Sequence, residues 1–433
     1  MPHTLSEWLD YQQQTHPNSI ELGLGRVREV WQRMGRPRPA AEVITVGGTN
    51  GKGSTVALLD AMLRTSGQRV GTYTSPHLIR YNERIRIDGR EVGDAELVAA
   101  FERIEHARAG LPLTYFEFGT LAALDLLARA GLDVAVLEVG LGGRLDAINI
   151  VDADIAVVTT VDLDHMDWLG ADRDSIGREK AGIARAGRPL LIGDHQPPQG
   201  LLQAAAEAGA EVWRIDLDFG ARPLDDGWRW WFGTDHVLDL PSPALLAPVQ
   251  RDNAATAIAA LRVRDQARPQ SPPWLVPAAL ARALASVRIQ ARLQPVDMGE
   301  PGPQLYLDVA HNPQAAASLA DWLVRRGAAP VQAVYGALAD KDVGGVIAAL
   351  DARIDHWHLI GLDGVTPRGL PAIALAEALH RSAPQAGYSI YPDLAAALAG
   401  ARAAAARRED ELLLALGSFH VASQVLELFP DDG

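Results

Sequence analysis

The chain has 433 residues, 48% of them hydrophobic and 22% charged, and its formal net charge is −14 at pH 7. This length is too great for one hydrophobic core, so the sequence predicts two or three domains. The acidic balance argues against nucleic acid as a partner, and no run reaches the roughly 18 apolar residues of a membrane span. The absence of cysteine excludes disulfides and thiolate metal sites.

The N-terminal sequence MPHTLSEWLDYQQQ has neither the basic start nor the apolar segment of a secretory signal. We therefore expect a cytoplasmic protein. The spacing of Leu5, Trp8 and Leu9 predicts an amphipathic helix, and the remainder of residues 1–40 fits either surface helix or loop.

The first motif that points to chemistry occupies residues 42–61, EVITVGGTNGKGSTVALLDA. Its β-branched start predicts a buried strand, a glycine-rich turn follows, and the apolar spacing after the turn predicts a helix. This arrangement cradles phosphate, because the free N–H groups of the first helical turn converge on one point. Lys52 supplies charge for the β/γ-phosphates, and Ser54 or Thr55 offers a hydroxyl to magnesium.

The motif is a variant P-loop, because Val46 stands where the standard pattern has its first glycine. The alternative is an ordinary glycine turn between a strand and a helix. Lysine is also unusually rare, since only Lys52, Lys180 and Lys341 are lysine among 40 basic residues. These three positions are candidates for roles that arginine cannot fill, as a point charge on phosphate or as an amine that loses its proton.

Continuously apolar segments alternate with helical ones, which predicts βαβ units and a parallel sheet covered on both faces. Strands are predicted at 69–74, 133–139, 155–161 and 189–193, an extended segment at 81–88, and helical sequence after 113–120. The many aromatic residues of 211–240 predict a hairpin core rather than a base-stacking surface. Helices are predicted at 251–264 and 277–287.

A second, smaller α/β domain is predicted after a region of proline and glycine at 290–302, which gives domains 1–294 and 295–433. Its strands are predicted at 305–309, 331–335, 358–360, 389–391 and 412–416. Asn312 and Pro313 predict a helix start as N-cap and first helical residue. The pair His356 and His358 lacks a third metal ligand nearby and is interpreted as structural.

Ligands of parallel sheets bind beyond the carboxyl ends of the strands, where the glycine-rich turn, Ser75, Glu138 and His165 all fall. A buried Glu138 needs a cation, either an arginine or a metal ion. Ser75 alone could start a Ser-Pro turn, and His165 alone could cap a strand. Together, hard oxygen ligands and one imidazole beside a phosphate loop favour magnesium.

Six motifs occur in one order along the chain: GTNGKGS (48–54), TSPHL (74–78), LEVGLGGRLDA (137–147), LDHMDWLG (163–170), GREKAGI (177–183) and LDVAHNP (307–313). In this combination the chain resembles the folylpolyglutamate synthase and dihydrofolate synthase branch of the Mur ligase superfamily over nearly its whole length. The resemblance implies a P-loop parallel-sheet ATPase domain like the Mur ligase central domain, followed by a smaller Rossmann-like α/β domain.

The resemblance also implies an ATP-dependent ligase that phosphorylates a carboxylate and joins it to the amine of L-glutamate. Its substrates are 7,8-dihydropteroate, reduced folates and L-glutamate, and its cofactors are ATP and Mg²⁺, with a monovalent cation as an additional candidate. A monomer without nucleic-acid or membrane partners is expected by the same analogy.

The residues that the resemblance assigns to the reaction fall into three groups. The ATP-binding group is Thr49, Asn50, Gly51, Lys52, Gly53, Ser54, Asn253, Arg292 and Asp308, with Arg292 expected to reach phosphate when the domains close. The metal group is Ser75, Glu138, His165 and a carbamylated Lys180. The glutamate side is His311, Ser418 and His420. The expected catalytic residues are Lys52, Lys180, His165 and His311.

Two of the three lysines need a further remark. Lys341 lies in a family motif, but its role does not follow from the sequence. The alternative interpretation of Lys180 is a surface charge paired with Glu179 or Asp174.

The expected dihydropteroate or folate pocket is Ser19, Ile20, Glu21, Leu22, Thr114, Tyr115, Phe116, Glu117, Leu145, Asp146 and Ala147. Aromatic rings suit stacking on a pterin, and a carboxylate suits its N–H donors. The alternative is that Tyr115, Phe116 and Phe118 are core residues. Ile148 departs from the threonine of many relatives and removes a hydroxyl near this pocket.

Four other functions remain as alternatives. A monofunctional folylpolyglutamate synthase would use the same ATP core. A cell-wall Mur ligase would usually carry a further domain before the phosphate loop, where only about 40 residues precede it. A non-catalytic nucleotide-binding module would not need Lys52, Glu138, His165 and Lys180, and a GTPase would carry an Asn-Lys-x-Asp signature that this chain lacks.

Overall fold

The computed structural model describes residues 2–16, 21–234, 236–299, 302–327, 330–405 and 411–430. Two residues of the expected acceptor pocket, Ser19 and Ile20, lie outside the described residues. The chain divides into two compact units, Met1–Ala244 with Arg251–Val287, and Leu245–Gln250 with Arg288–Gly433. The domain boundary between residues 294 and 295 stays a prediction.

The first unit is built around an eight-stranded sheet. Its strands are β1 (Glu42–Gly47), β2 (Val70–Tyr73), β3 (Ile85–Ile87), β4 (Arg90–Glu91), β5 (Val134–Glu138), β6 (Ile155–Val158), β7 (Pro189–Ile192) and β8 (Glu211–Arg214). The strand order is β4-β3-β2-β5-β1-β6-β7-β8. From β2 to β8 in this order every pair is parallel, and β3 and β4 add an antiparallel edge.

The centre of this sheet is β1, and its neighbours are β5 and β6. All six residues of β1 are buried, which fits its β-branched sequence. The register pairs Val46 with Glu138 and Gly47 with Val158. The chain therefore leaves β1 at the point where its neighbours also end, the place where parallel sheets bind ligands.

The helices of the first unit follow the predicted alternation with the strands. They are α1 (Leu5–Thr15), α2 (Gly25–Arg33), α3 (Lys52–Thr65), α4 (Asp94–Arg108), α5 (Tyr115–Arg129), α6 (Met166–Leu169), α7 (Arg173–Ala181), α8 (Gln199–Glu207), α9 (Gln250–Ala267) and α10 (Pro277–Ser286). Helix α3 packs on β1, β2 and β5, which fixes its first turn at the carboxyl edge of the sheet. No described helix is both long enough and apolar enough to cross a membrane.

The extended segment predicted over residues 81–88 is only partly correct. Tyr81–Arg84 forms a 3-10 turn, and the strand begins at Ile85. The Glu83 carboxylate accepts hydrogen bonds from the backbone N–H groups of Leu78, Ile79 and Arg80 at 2.6–2.8 Å. This local capping overrides the alternating pattern that predicted a strand.

The aromatic segment after β8 forms a small antiparallel sheet of β9 (Phe219–Pro223), β10 (Trp228–Phe232) and β11 (His236–Leu240). Trp228 and Trp230 are fully buried, and the Trp230 indole N–H donates to the carbonyl of Ala255 in α9 at 3.1 Å. The prediction of a hairpin core is confirmed. Its first strand, β8, instead extends the large parallel sheet.

The second unit has a six-stranded sheet of order β12-β13-β17-β14-β15-β16, parallel except for β12. The strands are β12 (Gln294–Val296), β13 (Gln304–Leu307), β14 (Val331–Tyr335), β15 (His356–Ile360), β16 (Tyr388–Tyr391) and β17 (Leu412–Leu416). The helices are α11 (Pro313–Arg326), α12 (Val343–Leu350), α13 (Ala372–Ser382), α14 (Leu394–Ala405) and α15 (Phe419–Leu428). Two parallel-sheet α/β units confirm the predicted fold class.

Two local predictions in this unit also hold. Asn312 caps α11 by accepting a hydrogen bond from Ala315 N–H at 3.0 Å. The ring of His358 contacts Gln332 Oε1 at 2.9 Å and the Tyr391 hydroxyl at 3.1 Å. Both ring nitrogens are therefore engaged by protein groups, which confirms the structural interpretation of this histidine.

Candidate functional site

The glycine-rich turn after β1 needs glycine at two positions. Gly48 has a φ of +143° and Gly51 a φ of +86°, values that favour glycine. A Cβ on Gly48 would lie 1.9 Å from Thr159 Oγ1. Thr159 and Thr160 follow β6 and bond to the backbone of Asn50, with Thr159 Oγ1 donating to its carbonyl at 2.6 Å. The turn is thus held against the end of the neighbouring strand.

Asn253 lies against the same turn. A Cβ on Gly51 would approach Asn253 Oδ1 to 2.6 Å, so the absence of a side chain at Gly51 makes room for this amide. Asn253 is 4% exposed and lies in the first turn of α9. The structure therefore brings together the phosphate loop and a predicted nucleotide contact about 200 residues later in the sequence.

The ammonium of Lys52 lies over the turn. Its Nζ donates hydrogen bonds to the carbonyls of Gly48 and Thr49, each at 3.1 Å. These bonds bend the side chain back over the loop, so that its positive charge and the N–H groups at the start of α3 face the same space. An anion is favoured at such a point by both the fixed charge and the helix dipole.

Glu138 and Ser75 come together at the ends of β5 and β2. Glu138 is 4% exposed, and its Oε2 accepts a hydrogen bond from the backbone N–H of Ser75 at 3.1 Å. A Cβ on Gly53 would lie 3.8–3.9 Å from the two carboxylate oxygens, which places this carboxylate beside the first turn of α3. A buried carboxylate and a serine hydroxyl beside a phosphate loop are hard oxygen donors of the kind that Mg²⁺ prefers.

Lys180 is buried in α7, with only 3% of its surface exposed. Burial and, to a lesser extent, the nearby charge of Lys52 lower the pKa of its amine to about 7, against the opposing effect of Asp164. The alternative of a surface charge is wrong, since Glu179 pairs with Arg144 and Asp174 accepts a hydrogen bond from Gly200 N–H. At neutral pH a large share of this amine is therefore unprotonated.

The end of α7, which carries Lys180, packs on the turn that follows β5. A Cβ on Gly143 would lie 2.8 Å from the carbonyl oxygen of Glu179 and 3.0 Å from that of Lys180. Arg144 N–H donates to the Glu179 carbonyl at 2.9 Å. The end of α7 consequently packs directly on the glycine turn that begins beside Glu138.

His165 precedes α6 in a left-handed conformation with a φ of +51°. Its backbone N–H donates to Asp164 Oδ1 at 2.9 Å, and its Nε2 lies 4.0 Å from that oxygen. The described residues contain no group of three or more His, Cys, Asp or Glu side chains that could hold a metal. The metal-binding roles of Ser75, Glu138, His165 and Lys180 stay predictions.

The expected acceptor pocket is organised by a capping box at the start of α5. Thr114 Oγ1 accepts from Glu117 N–H at 3.2 Å, and Glu117 Oε2 accepts from Thr114 N–H at 2.8 Å. Arg26 donates to both Glu117 oxygens and also pairs with Glu21. Glu117 is thus a buried, arginine-paired carboxylate, and its predicted contact with a pterin stays a prediction.

The aromatic residues of this segment differ in how deeply they are buried. Phe118 is fully buried in the core, as the alternative interpretation expected for it. Tyr115 and Phe116 are only partly buried, and the Tyr115 ring meets Tyr81 edge-on with centroids 5.7 Å apart. Phe118 is therefore structural, and stacking of a pterin on Tyr115 or Phe116 stays a prediction.

Asp146 organises the turn that contains the remaining pocket residues. Its two oxygens accept hydrogen bonds from the N–H groups of Leu141 at 2.9 Å and Ile148 at 3.0 Å. Burial raises the pKa of Asp146 to about 6, while these backbone bonds and the charge of Lys52 oppose the rise. Ala147 is 5% exposed and Leu145 is partly buried. Ile148 is fully buried in the core and is therefore a packing residue.

The predicted residues of the second unit lie at the carboxyl ends of β13 and β17. Asp308 accepts hydrogen bonds from the N–H groups of Leu293 and Ala310, both at 2.8 Å, and burial raises its pKa despite the charge of Arg292. His311 Nδ1 lies 2.8 Å from the Val309 carbonyl, which requires a proton on Nδ1. Ser418 caps α15, and His420 lies in the first turn of that helix.

The chain is similar to known proteins over nearly its whole length. The Mur ligase middle domain family matches residues 46–227, and the Mur ligase glutamate ligase domain family matches residues 291–419. The dihydrofolate synthase/folylpolyglutamate synthase of Escherichia coli strain K12 is 42% identical over 428 residues, which are 98% of this chain and 95% of that protein. This chain belongs to the dihydrofolate synthase/folylpolyglutamate synthase family of Mur ligases.

Solved structures of this family share the whole fold. Escherichia coli FolC in complex with DHPP and ADP matches with a TM-score of 0.90 at 41% identity, over 99% of both chains. A bifunctional folylpolyglutamate synthase/dihydrofolate synthase with Mn, AMPPNP and L-glutamate bound matches with a TM-score of 0.87 at 43% identity, over 98% of both chains. The predicted family is confirmed along the full length of the chain.

Several residues that support the predicted site residues were not predicted from the sequence. Thr159 and Thr160 hold the phosphate loop, Asp164 acts electrostatically on Lys180, and Arg26 neutralises Glu117. The hydroxyl pair directly after β6 was a usable signal, because it falls at the carboxyl edge of the sheet. Arg26 gave no such signal, since it lies 91 residues from Glu117.

Proposed function

We propose that this chain is a bifunctional ligase that adds L-glutamate to 7,8-dihydropteroate, which forms dihydrofolate, and to reduced folates, which forms folylpolyglutamates. The observation that supports it most is the convergence of Lys52, Glu138 and Lys180 at one edge of the first sheet. The proposal also draws on the similarity to bifunctional relatives along nearly the whole chain.

The reaction has two steps. A carboxylate oxygen of the acceptor attacks the γ-phosphorus of ATP, which forms an acyl phosphate and releases ADP. The unprotonated amine of L-glutamate then attacks the acyl carbon, an amide forms, and phosphate and a proton leave. The activation is necessary because a carboxylate is a poor electrophile, and the protein contributes mainly positioning and charge neutralisation.

The residues of the first unit would divide this work. Thr49 to Ser54 bind the phosphates through backbone N–H groups and the Lys52 charge, and Asn253 adds a nucleotide contact beside Gly51. Ser75, Glu138 and His165 would hold Mg²⁺, which supplies charge neutralisation at the transferring phosphate. The nitrogen of the unprotonated Lys180 amine would form a bond to the carbon of carbon dioxide and release one proton to solvent, which gives an anionic carbamate beside that metal. Its lowered pKa favours this role, because only the unprotonated amine can react.

The second unit would supply Arg292 and Asp308 to the nucleotide and His311, Ser418 and His420 to the glutamate side. The acceptor pocket would be formed by residues from three segments: Ser19 to Leu22, Thr114 to Glu117 and Leu145 to Ala147. We further propose a cytoplasmic monomer whose partners are small molecules, without nucleic acid. A monofunctional folylpolyglutamate synthase is the second candidate, because it would use the same ATP chemistry.

The test is ADP release by the purified protein with ATP, Mg²⁺, an acceptor and L-glutamate. We expect release that depends on both the acceptor and glutamate, and its loss in Lys52→Ala and Glu138→Ala variants that keep the wild-type circular dichroism spectrum. Near-normal turnover in either variant would contradict the proposed phosphate and metal site.

A further inference from the structure

His77, in the TSPHL motif, lies just after β2 and close to the predicted metal residues. It follows Ser75 by two residues, so the two Cα atoms are at most about 7 Å apart. The Ser75 N–H donates to Glu138 Oε2 at 3.1 Å, which places this loop at the carboxyl edge of the first sheet. The His77 imidazole is only partly buried. A hydrogen-bonding side chain without an assigned role therefore lies next to the predicted metal site.

Arg84 determines which ring nitrogen of His77 carries the proton. The guanidinium of Arg84 is buried, and its Nε–H donates to His77 Nδ1 at 2.8 Å. A guanidinium has donors only, so Nδ1 is the acceptor and the single ring proton lies on Nε2. In the part of the chain that the structure describes, Nε2 has no hydrogen-bond partner. The pair therefore presents a neutral N–H donor next to a fixed positive charge.

The ring of Tyr81 connects His77 with the predicted acceptor pocket. Its centroid lies 5.6 Å from that of the His77 ring and 5.7 Å from that of the Tyr115 ring. A Cβ on Gly119 would lie 2.4 Å from the Tyr81 hydroxyl, so the absence of a side chain there lets Tyr81 pack closely on α5. Arg84 Cζ lies 5.1 Å from the Tyr81 centroid and 5.6 Å from the Tyr115 centroid. His77 consequently lies between the predicted metal residues and the predicted acceptor pocket.

The position of His77 favours the acceptor over the nucleotide as its ligand. In the first sheet, β5 separates β2, which precedes His77, from β1, which precedes the phosphate loop. The acceptor brings the carboxylate that receives the phosphoryl group, and this carboxylate has to extend from the acceptor pocket to the metal site. Hydrogen bonds to an ionised carboxylate are roughly twice as strong as those between neutral groups. An N–H donor between the two sites is therefore suited to this carboxylate.

We propose that His77 donates a hydrogen bond from Nε2 to the reacting carboxylate of the acceptor, and that Arg84 is a positioning residue that holds this tautomer. The inference rests on the proposed ligase function and adds two residues to its acceptor side. The bond orients the carboxylate for attack on the γ-phosphorus. Its loss should therefore affect both acceptors, because dihydropteroate and reduced folates each bring the reacting carboxylate.

The first experiment compares the KM values for ATP, 7,8-dihydropteroate and a reduced folate in wild type, His77→Asn and His77→Gln. Asparagine keeps an acceptor for Arg84 near the position of Nδ1 but has no donor near that of Nε2, where glutamine places an N–H group. In His77→Asn we expect the KM for both acceptors to rise on the order of tenfold, with the KM for ATP unchanged. The rise should be smaller in His77→Gln. His106→Gln, at an exposed histidine of α4, is the control and should match wild type.

The second experiment determines the tautomer by ¹⁵N NMR of histidine-labelled protein at pH 7. The His77 signal is assigned by its loss in His77→Gln. We expect its proton on Nε2, and a change in the Nε2 shift when the acceptor is added. Arg84→Lys keeps the charge but lacks the Nε–H donor, so we expect a mixture of tautomers and a raised KM for both acceptors. Arg86→Lys, at an exposed arginine of β3, should leave both readouts unchanged.

Several outcomes would overturn the inference while the ligase function stands. They are a proton on Nδ1 of wild-type His77, unchanged acceptor KM values in His77→Asn, a rise for one acceptor only, and an equal rise in the KM for ATP. Equal defects in His77→Asn and His77→Gln would also contradict a donor role for Nε2. Wild-type behaviour of Arg84→Lys in both readouts would remove Arg84 as the positioning residue. Failure of the wild type to release ADP in response to either acceptor would overturn the function and the inference together.

Discussion

At the scale of single residues, the carbamate proposed on Lys180 gives the most specific prediction. Its amine is buried and its pKa is lowered to about 7, chiefly by desolvation. We predict a carbamate signal from Lys180 in a ¹³C NMR spectrum under ¹³CO₂ at pH 8, decreasing as the pH falls below 7 because protonation removes the reactive amine. Lys180→Arg should lose the signal and the activity although it keeps the positive charge. Full activity in Lys180→Ala without added short carboxylates would refute the carbamate.

Gly51, directly before α3, allows a second test at residue scale, and Gly67, just after the end of the same helix, serves as the internal control. Gly51 and Gly67 have nearly equal φ values of +86° and +87°, so alanine brings similar backbone strain of about 1–2 kcal/mol at either position. A Cβ meets Asn253 only at Gly51, since nothing lies within 4 Å at Gly67. We predict that Gly51→Ala abolishes the rise in Tm on adding ADP, whereas Gly67→Ala lowers Tm but keeps the ADP response. Equal ADP responses would show that the contact with Asn253 does not matter for nucleotide binding.

At the scale of elements, His195 links three elements. It follows β7 and contacts Asp216, just after β8, and Asp252 in the first turn of α9. Its Nδ1 lies 2.6 Å from Asp216 Oδ2, and its Nε2 lies 3.3 Å from Asp252 Oδ2. The bond to Asp252 and that to Asp216 raise the pKa of His195 to about 9 despite partial burial. A raised histidine pKa stabilises the fold fully below the unfolded value near 6.5, and this stabilisation disappears as pH rises through 9.

We therefore predict that His195→Ala lowers the free energy of unfolding at pH 6 by about 1 kcal/mol or less, because the pair is half-exposed and screened. At pH 10 the two proteins should be equally stable. Urea unfolding at both pH values measures this difference, and His106→Ala, an exposed histidine of α4, is the control. A difference that is the same at both pH values would assign the effect to packing instead of charge.

Elements with a strong local pattern could be predicted, and those that depend on distant contacts could not. Apolar periodicity and the placement of glycines predicted the buried β1, the glycine turn and α3. Asn312, as a typical N-cap residue, predicted the start of α11. The 3-10 turn at Tyr81–Arg84 was missed because Glu83 caps the preceding loop, an interaction that a strand-like alternation conceals. Composition alone favours a surface lysine at position 180, so only the family resemblance placed Lys180 in the site. Its burial goes with the packing of Gly143 on the end of α7, a contact between distant parts of the sequence.

At the scale of the whole molecule, the sequence predicted the family because six short motifs occur together in one order. The same motifs placed residues at the carboxyl ends of several strands, which parallel topology then gathers at one edge. The motifs did not predict the hydrogen-bond partners of the site residues. Arg26, which binds Glu117, and Thr159, which binds the backbone of Asn50, lie outside the six motifs. These pairs are separated by 91 and 109 residues and become neighbours only through the fold.

The measurement that tests the central claim most directly is ADP release by the wild-type protein with ATP, Mg²⁺ and L-glutamate, using 7,8-dihydropteroate and a reduced folate as separate acceptors. The bifunctional assignment predicts glutamate-dependent release with each acceptor, and a product heavier by one glutamate residue in the mass spectrum. Release with the reduced folate alone would contradict it and leave a folylpolyglutamate synthase. Release with neither acceptor, in a protein that still binds ADP, would contradict the ligase function itself.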